Sequence, residues 1–158
     1  MKAVKKLIES LKSAKNIVLL SHVGPDGDTL GSMLALKAMI DQLGTAKKVD
    51  MIIVGNIPDI YRFMPGIEEV KTPNDKTLYQ SYDIAVALDC ASVDRLGDSF
   101  ELFRNAKLTA NIDHHVSNLG YADINWIEPQ ASACAQVLFK LINMLEIKLT
   151  KEIAINLY

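Results

Sequence analysis

Three short stretches of this sequence carry side chains whose types and spacing suit chemistry on a polar substrate. The first, His22-Val23-Gly24-Pro25-Asp26-Gly27-Asp28-Thr29-Leu30-Gly31-Ser32, puts an imidazole and two carboxylates into one turn. The second is Asp89, which closes the apolar run Ile84-Ala85-Val86-Ala87-Leu88, and the third is Asp113-His114-His115, which closes the run from Lys107 to Ile112. If Asp26, Asp28 and Asp89 come within about 5 Å of one another, each ionised pair repels by roughly 3 kcal/mol at an effective dielectric near 20. Three such pairs approach the roughly 5–15 kcal/mol that stabilises a whole domain, so protons or cations must sit between them. His22 and His114 add neutral nitrogen donors, and a mixed oxygen and imidazole set suits manganese, iron, cobalt or zinc better than calcium. Two ions are the economical arrangement, because a pair about 3.5–4 Å apart lowers the pKa of a bound water and clamps a phosphoryl oxygen. The plainer alternative for the first stretch is a turn whose aspartates only cap a helix. His115 reads either as a buried histidine that orients its neighbours or as a contact to a substrate phosphate. Arg95, in Asp94-Arg95-Leu96-Gly97, reads either as a phosphate contact or as a surface arginine.

Such side chains need rigid elements to deliver them. Asn16 to Ser21 is a short apolar run of buried-strand character, and Thr29 to Leu43 is mostly apolar without proline, a buried helix with Gly44 as its stop. Pro25 and Gly27 suit a sharp turn, and Gly31 would let the backbone approach whatever the loop binds. Val4, Leu7, Ile8 and Leu11 recur at helical spacing ahead of this unit. Lys48 to Val54 reads as a strand, Gly55 to Gly66 as breaks around a short helical or turn segment, and Glu68 to Lys71 as a short strand. Ile84 to Leu88, Lys107 to Ile112 and Tyr121 to Ile127 read as further strands. Cys134, Val137, Leu138, Leu141, Ile142 and Leu145 form a helical stripe, and Thr150 caps one more helix. Strands alternating with helices predict a Rossmann-like, three-layer α/β domain with a mostly parallel sheet flanked by helices. Such sheets hold their ligands beyond the carboxyl ends of the strands, which is where all three polar clusters fall.

The 158 residues, 49% hydrophobic and 23% charged, fit one globular domain with a sizeable core. A net charge of −2 supplies no bulk attraction for nucleic acid, which argues against a groove for long duplex nucleic acid and for a small anionic substrate held by local cations. Cys90 and Cys134 lack metal-ligand spacing and read as reduced, buried thiols. No apolar run reaches the length of a membrane span and the Lys-rich start lacks a signal's apolar core, so a cytoplasmic protein without a membrane partner is expected. Neither a Gly-x-Ser-x-Gly elbow nor a phosphate-binding glycine loop is present.

The three stretches together resemble the DHH phosphoesterases, named for the triplet that stands here as Asp113-His114-His115. His22 to Asp28 with Leu30-Gly31-Ser32 matches that family's first motif, Leu88-Asp89 its second and Asp113-His114-His115 its third, and the resemblance covers essentially the whole chain. Ser92-Val93-Asp94-Arg95-Leu96-Gly97 and Asn125-Trp126-Ile127-Glu128-Pro129 look more like the bacterial NrnA-type branch, oligoribonucleases and phosphoadenosine-phosphate phosphatases, than like family II pyrophosphatases. RecJ-type exonucleases are more distant relatives. The resemblance implies two divalent ions, manganese, with His22 and Asp26 ligating one, Asp28 and His114 the other, and Asp89 bridging them. It also implies that Asp113 supports its neighbours without touching metal and that His115 faces the scissile phosphate. The implied activity is hydrolysis of short oligoribonucleotides or 3'-phosphoadenosine 5'-phosphate, with a hydroxide between the metals as nucleophile. Pyrophosphate, a cyclic dinucleotide, or a regulatory module without turnover are the alternatives, and a homodimer is compatible with the reading.

One departure stands at the end of the sequence. The family's fourth motif supplies another metal-binding aspartate shortly after an Asn-Leu-Tyr-like helix, and this sequence stops at Asn156-Leu157-Tyr158. The family's glycine-rich, substrate-binding C-terminal domain is also not in it. Residues 1–158 are therefore expected to be the DHH domain of a longer protein, to hold one ion better than two, to expose an apolar docking surface and to be nearly inactive alone.

Overall fold

The computed structural model describes residues 2–44 and 47–158. Helix α1 (Lys2–Ser13) leads into strand β1 (Asn16–Leu20), helix α2 (Gly27–Asp41) and strand β2 (Lys48–Ile52). After a stretch of turns come β3 (Ile84–Leu88), α3 (Phe100–Arg104), β4 (Thr109–Asp113), β5 (Ile124–Ile127), α4 (Cys134–Leu145) and α5 (Lys151–Leu157). Every pairing in the five-stranded sheet is parallel, in the order β2-β1-β3-β4-β5. That order reverses direction between β1 and β3, and the crevice at such a reversal is where doubly wound sheets bind ligands.

The strands are buried on both faces, as parallel sheets require. Ile17, Leu19, Ile84, Val86, Leu88, Ala110 and Ile112 point into a core shared with α1, α2, α4 and α5. Val18, Leu20, Ala85 and Ala87 point the other way, toward Tyr82 ahead of β3 and toward Leu96 and Phe103 of α3 and its approach. The expected three layers are thus present, with the thicker helical layer on one face.

Helix α2 starts at Gly27, ahead of the expected Thr29, because Asp26 caps it: its Oδ1 accepts the N–H groups of Asp28 and Thr29, each at 3.1 Å. Gly24, at φ +66°, makes the turn ahead of it. Gly31 serves a different purpose from the one expected. A Cβ there would meet the Asn156 carbonyl at 2.2 Å, so its bareness admits α5 and not a ligand. Glu68 to Lys71 is not a strand: a 3-10 turn occupies Ile67–Glu69, and only Lys71 bridges to Ile52. Among the described residues no helix is long and apolar enough to cross a membrane. Both cysteines are free and buried, and burial pushes the Cys134 thiol well above its usual range.

Candidate metal centre

The carboxyl ends of β1, β3 and β4 bring their polar residues to one place. His22 follows β1, Asp26 and Asp28 sit at the start of α2, Asp89 follows β3, and Asp113 closes β4 ahead of His114 and His115. His22 Nε2 lies 3.9 Å from Asp26 Oδ2 and 3.8 Å from Asp89 Oδ2. On the other side, His114 Nε2 lies 3.6 Å from Asp28 Oδ2 and 3.4 Å from Asp89 Oδ1, and His115 Nδ1 lies 3.7 Å from Asp89 Oδ1. Two sets close enough to share an ion result, one of His22, Asp26 and Asp89 and one of Asp89, His114 and His115, with Asp89 common to both. These separations are too long for hydrogen bonds, whereas donors bound about 2.0–2.2 Å from one ion sit roughly 3.0–3.5 Å apart.

Asp89 is the most constrained member. It leaves β3 in the left-handed region at φ +53°, a conformation that Asp adopts more readily than most residues but that still stores strain. Its side chain is 4% exposed. Burial above all, and then the charges of Asp28, Asp26 and Asp113, push its carboxyl up to about 8, while Arg95 pulls it down. Its Oδ1 is buried with no hydrogen-bond donor among the described residues. An orphaned carboxylate oxygen costs about 1–3 kcal/mol, and a cation in contact with it relieves both that cost and the repulsion. The donor set therefore fits divalent metal.

The histidines are held for this purpose by their other nitrogens. His22 Nδ1 lies 3.0 Å from the Val23 carbonyl and His114 Nδ1 3.2 Å from that of Ala131. A proton on Nδ1, donated to these carbonyls, leaves each Nε2 lone pair facing the carboxylates; at His22 it also means that Arg95 Nη2, itself a donor, lies beside Nδ1 without a hydrogen bond to it. His115 Nδ1 is held instead at 2.7 Å from Asp113 Oδ1. Arg95 Nη2 comes within 3.1 Å of His22 Nδ1, so this arginine, though exposed, borders the site.

Sequence reasoning missed several supports. Asp28 accepts the N–H of Cys134 at 2.8 Å and of Ala135 at 2.9 Å, capping α4, whose own N-cap residue Ala133 has no side chain for the task. Thr29 Oγ1 donates to the Leu88 carbonyl at 3.1 Å and ties α2 to the end of β3. Asn111 and Asn118 lie behind Asp89 and Asp113; an asparagine between Ala110 and Ile112 in an apolar strand was the one legible signal.

A doubly wound parallel sheet with two acid and imidazole sets at its strand-order reversal defines an α/β protein with a candidate metal site. A profile of the DHH family, N-terminal domain, matches residues 16–158, and the chain belongs to that family of phosphoesterases. It is 34% identical over 148 residues to the bifunctional oligoribonuclease and PAP phosphatase NrnA of Thermus thermophilus, covering 92% of this chain and 42% of that protein. The crystal structure of an exopolyphosphatase-related protein from Bacteroides fragilis superposes with a TM-score of 0.89 at 26% identity, over 99% of this chain and 48% of that one. Exonuclease RecJ, solved bound to manganese, shares the fold with a TM-score of 0.56 at 17% identity, over 99% and 40%. The chain spans about half the length of the curated relatives it matches.

Proposed function

We propose that this domain is the metal-binding half of a cytoplasmic, manganese-dependent phosphoesterase that hydrolyses short oligoribonucleotides and 3'-phosphoadenosine 5'-phosphate. The observation that carries the reading is the shared carboxylate: Asp89 belongs to both sets of donors, Oδ2 toward His22 and the orphaned Oδ1 toward His114 and His115. In this reading His22 and Asp26 hold one ion, Asp28 and His114 the other, and Asp89 both. Bound there, divalent metal supplies a water of lowered pKa and polarises a phosphoryl oxygen.

The chain's own residues do the rest. Asp113 accepts from His115 Nδ1 and fixes the ring, leaving Nε2 to meet the scissile phosphate. Arg95, next to His22, offers a guanidinium to the phosphate oxygens, where paired N–H donors bind most strongly. The weak overall charge suits a small substrate over a long polyanion. The kinship with NrnA of Thermus thermophilus supports that substrate class. The test is product release by the full-length gene product with manganese, from a diribonucleotide, phosphoadenosine phosphate, pyrophosphate, polyphosphate and a cyclic dinucleotide. Turnover of the first two is expected to dominate. Preference for pyrophosphate or polyphosphate would overturn the substrate assignment, and binding without turnover would make the domain a regulatory module.

A further inference from the structure

Behind the site lies a pair of asparagines that the metal reading does not use. Asn118 Nδ2 sits 2.6 Å from Asp113 Oδ2, 2.6 Å from Asn111 Oδ1 and 3.3 Å from the Cys90 carbonyl. Its Oδ1 accepts the Gly120 N–H at 2.9 Å, so the amide is oriented from both ends and only its nitrogen can face the carboxylate. Asn111, wholly buried on β4, donates in turn to the carbonyls of Ala87 at 3.2 Å and Cys90 at 3.3 Å. The Tyr121 hydroxyl also donates to the Cys90 carbonyl, at 3.0 Å. Two side-chain donors, from Asn111 and Tyr121, thus converge on the carbonyl of the residue after Asp89, while the two N–H groups of Asn118 go to its shorter contacts, Asp113 and Asn111.

That convergence has two consequences. A left-handed aspartate persists only where its surroundings hold it, and the carbonyls of Ala87 and Cys90, tethered by Asn111, bracket Asp89. Asp113, with no exposure at all, is satisfied by three donors: the His114 N–H at 2.8 Å, His115 Nδ1 at 2.7 Å and Asn118 Nδ2. Without Asn118 its Oδ2 is a buried oxygen with no donor, and the carboxylate turns toward another partner and lets His115 go.

We infer that Asn118 is a positioning residue that couples the two halves of the site, orienting Asp113 against His115 and holding Asn111, which tethers the Cys90 carbonyl next to Asp89 in its left-handed turn. The inference rests on the reading of Asp89 and His115 as working residues of a phosphoesterase. Asn118 itself touches neither residue's reacting atoms.

The test compares Asn118→Ala, Tyr121→Phe and a control, Gln42→Ala, in the full-length gene product. Gln42 bonds the Lys148 backbone twice, at 2.9 and 3.0 Å, at the far end of α2, so its loss costs stability away from the site. Nitrogen NMR of the metal-free protein, at a pH where imidazoles are neutral, reads the His115 tautomer. Wild type and Gln42→Ala are expected to carry the proton on Nδ1, and Asn118→Ala to show a mixture. Manganese titration by calorimetry is expected to give a fall of up to about tenfold for Asn118→Ala, the low end of the cost of losing a ligand's direct partner because Asn118 acts on Asp89 through Asn111 and Cys90, with Gln42→Ala at wild-type affinity. Tyr121→Phe, which keeps the ring and loses one donor to Cys90, is expected to weaken manganese binding less and to leave the His115 tautomer alone. It decides the Cys90 tether even if Asn118→Ala does not fold. An unchanged His115 ring in Asn118→Ala, or unchanged affinity in both variants, would overturn the coupling. A wild-type protein that binds no manganese would overturn the metal reading instead, and the ring tautomer would then decide the role of Asn118 by itself.

Discussion

Strand β3 has a carboxylate at each end, and the two live in opposite conditions. Asp83, at the amino end, accepts the Lys107 ammonium at 2.9 Å and the N–H groups of Asn16 at 3.0 Å and Lys15 at 2.9 Å. Those donors, Lys107 first, hold its carboxyl well below the usual range. Asp89, at the carboxyl end, is buried among other carboxylates and pushed up to about 8, with one oxygen unpartnered. One end of the sheet is arranged for stability and the other spends stability on a site, which is the contrast expected where a fold carries chemistry.

The largest effect should come from Asp89→Asn. Asn tolerates the left-handed turn, so the fold survives, while the charge that both donor sets share is gone. Manganese affinity is expected to drop beyond the roughly 10–100-fold that partners behind a ligand cost, and calorimetry checks it. Metal-free thermal stability is expected to rise, by about 1–3 kcal/mol, because folding no longer has to neutralise a carboxylate that ionises freely in the unfolded chain. A loss of stability together with retained metal would break the contrast between the two ends.

Next in size are the two aspartates at the head of α2, which differ in reach. Asp26 caps its own helix and is largely exposed, whereas Asp28 caps α4 from more than a hundred residues away in sequence. Chemical denaturation should show Asp28→Ala costing about 2 kcal/mol and Asp26→Ala about 1 kcal/mol, within the range for lost caps. Equal costs would mean that the long-range cap adds nothing.

An effect no larger than that of the Asp26 cap belongs to Asp83→Asn, and it should depend on pH. A carboxyl whose pKa is depressed by folding contributes stability that is fully present above its unfolded value, about 3.9, and is lost as pH falls through the folded one. Wild type should therefore exceed Asp83→Asn by about 1 kcal/mol at neutral pH, in melts followed by circular dichroism, and the gap should close below about pH 4. Manganese affinity should not change.

The site was legible where chemistry follows chain order. His22 to Asp28 and Asp113 to His115 each lie within one loop, and each of the runs ending in them or in Asp89 announces a strand exit. The parallel sheet then follows from alternation of strands and helices, and convergence from its topology. What stayed hidden depends on pairs distant in sequence. Nothing near Gly31 tells that Asn156 will press on it, and nothing near Asp28 tells that α4 begins above its carboxylate. Asn118 looks like an ordinary turn residue until Asp113, Asn111 and Cys90 surround it. Local patterning sets elements and their ends, while hydrogen bonds across the sheet decide what each polar side chain does there.

In the proposed site Asp89 serves two metal positions, one toward His22 and one toward His114. Calorimetric titration with manganese tests it on four proteins: wild type, His22→Ala, His114→Ala and Asp89→Asn, each in the full-length gene product. Two ions are expected for wild type, one for each histidine variant and none held tightly by Asp89→Asn. An Asp89→Asn protein that keeps both ions, or a histidine variant that loses both while its fold is intact, would contradict it.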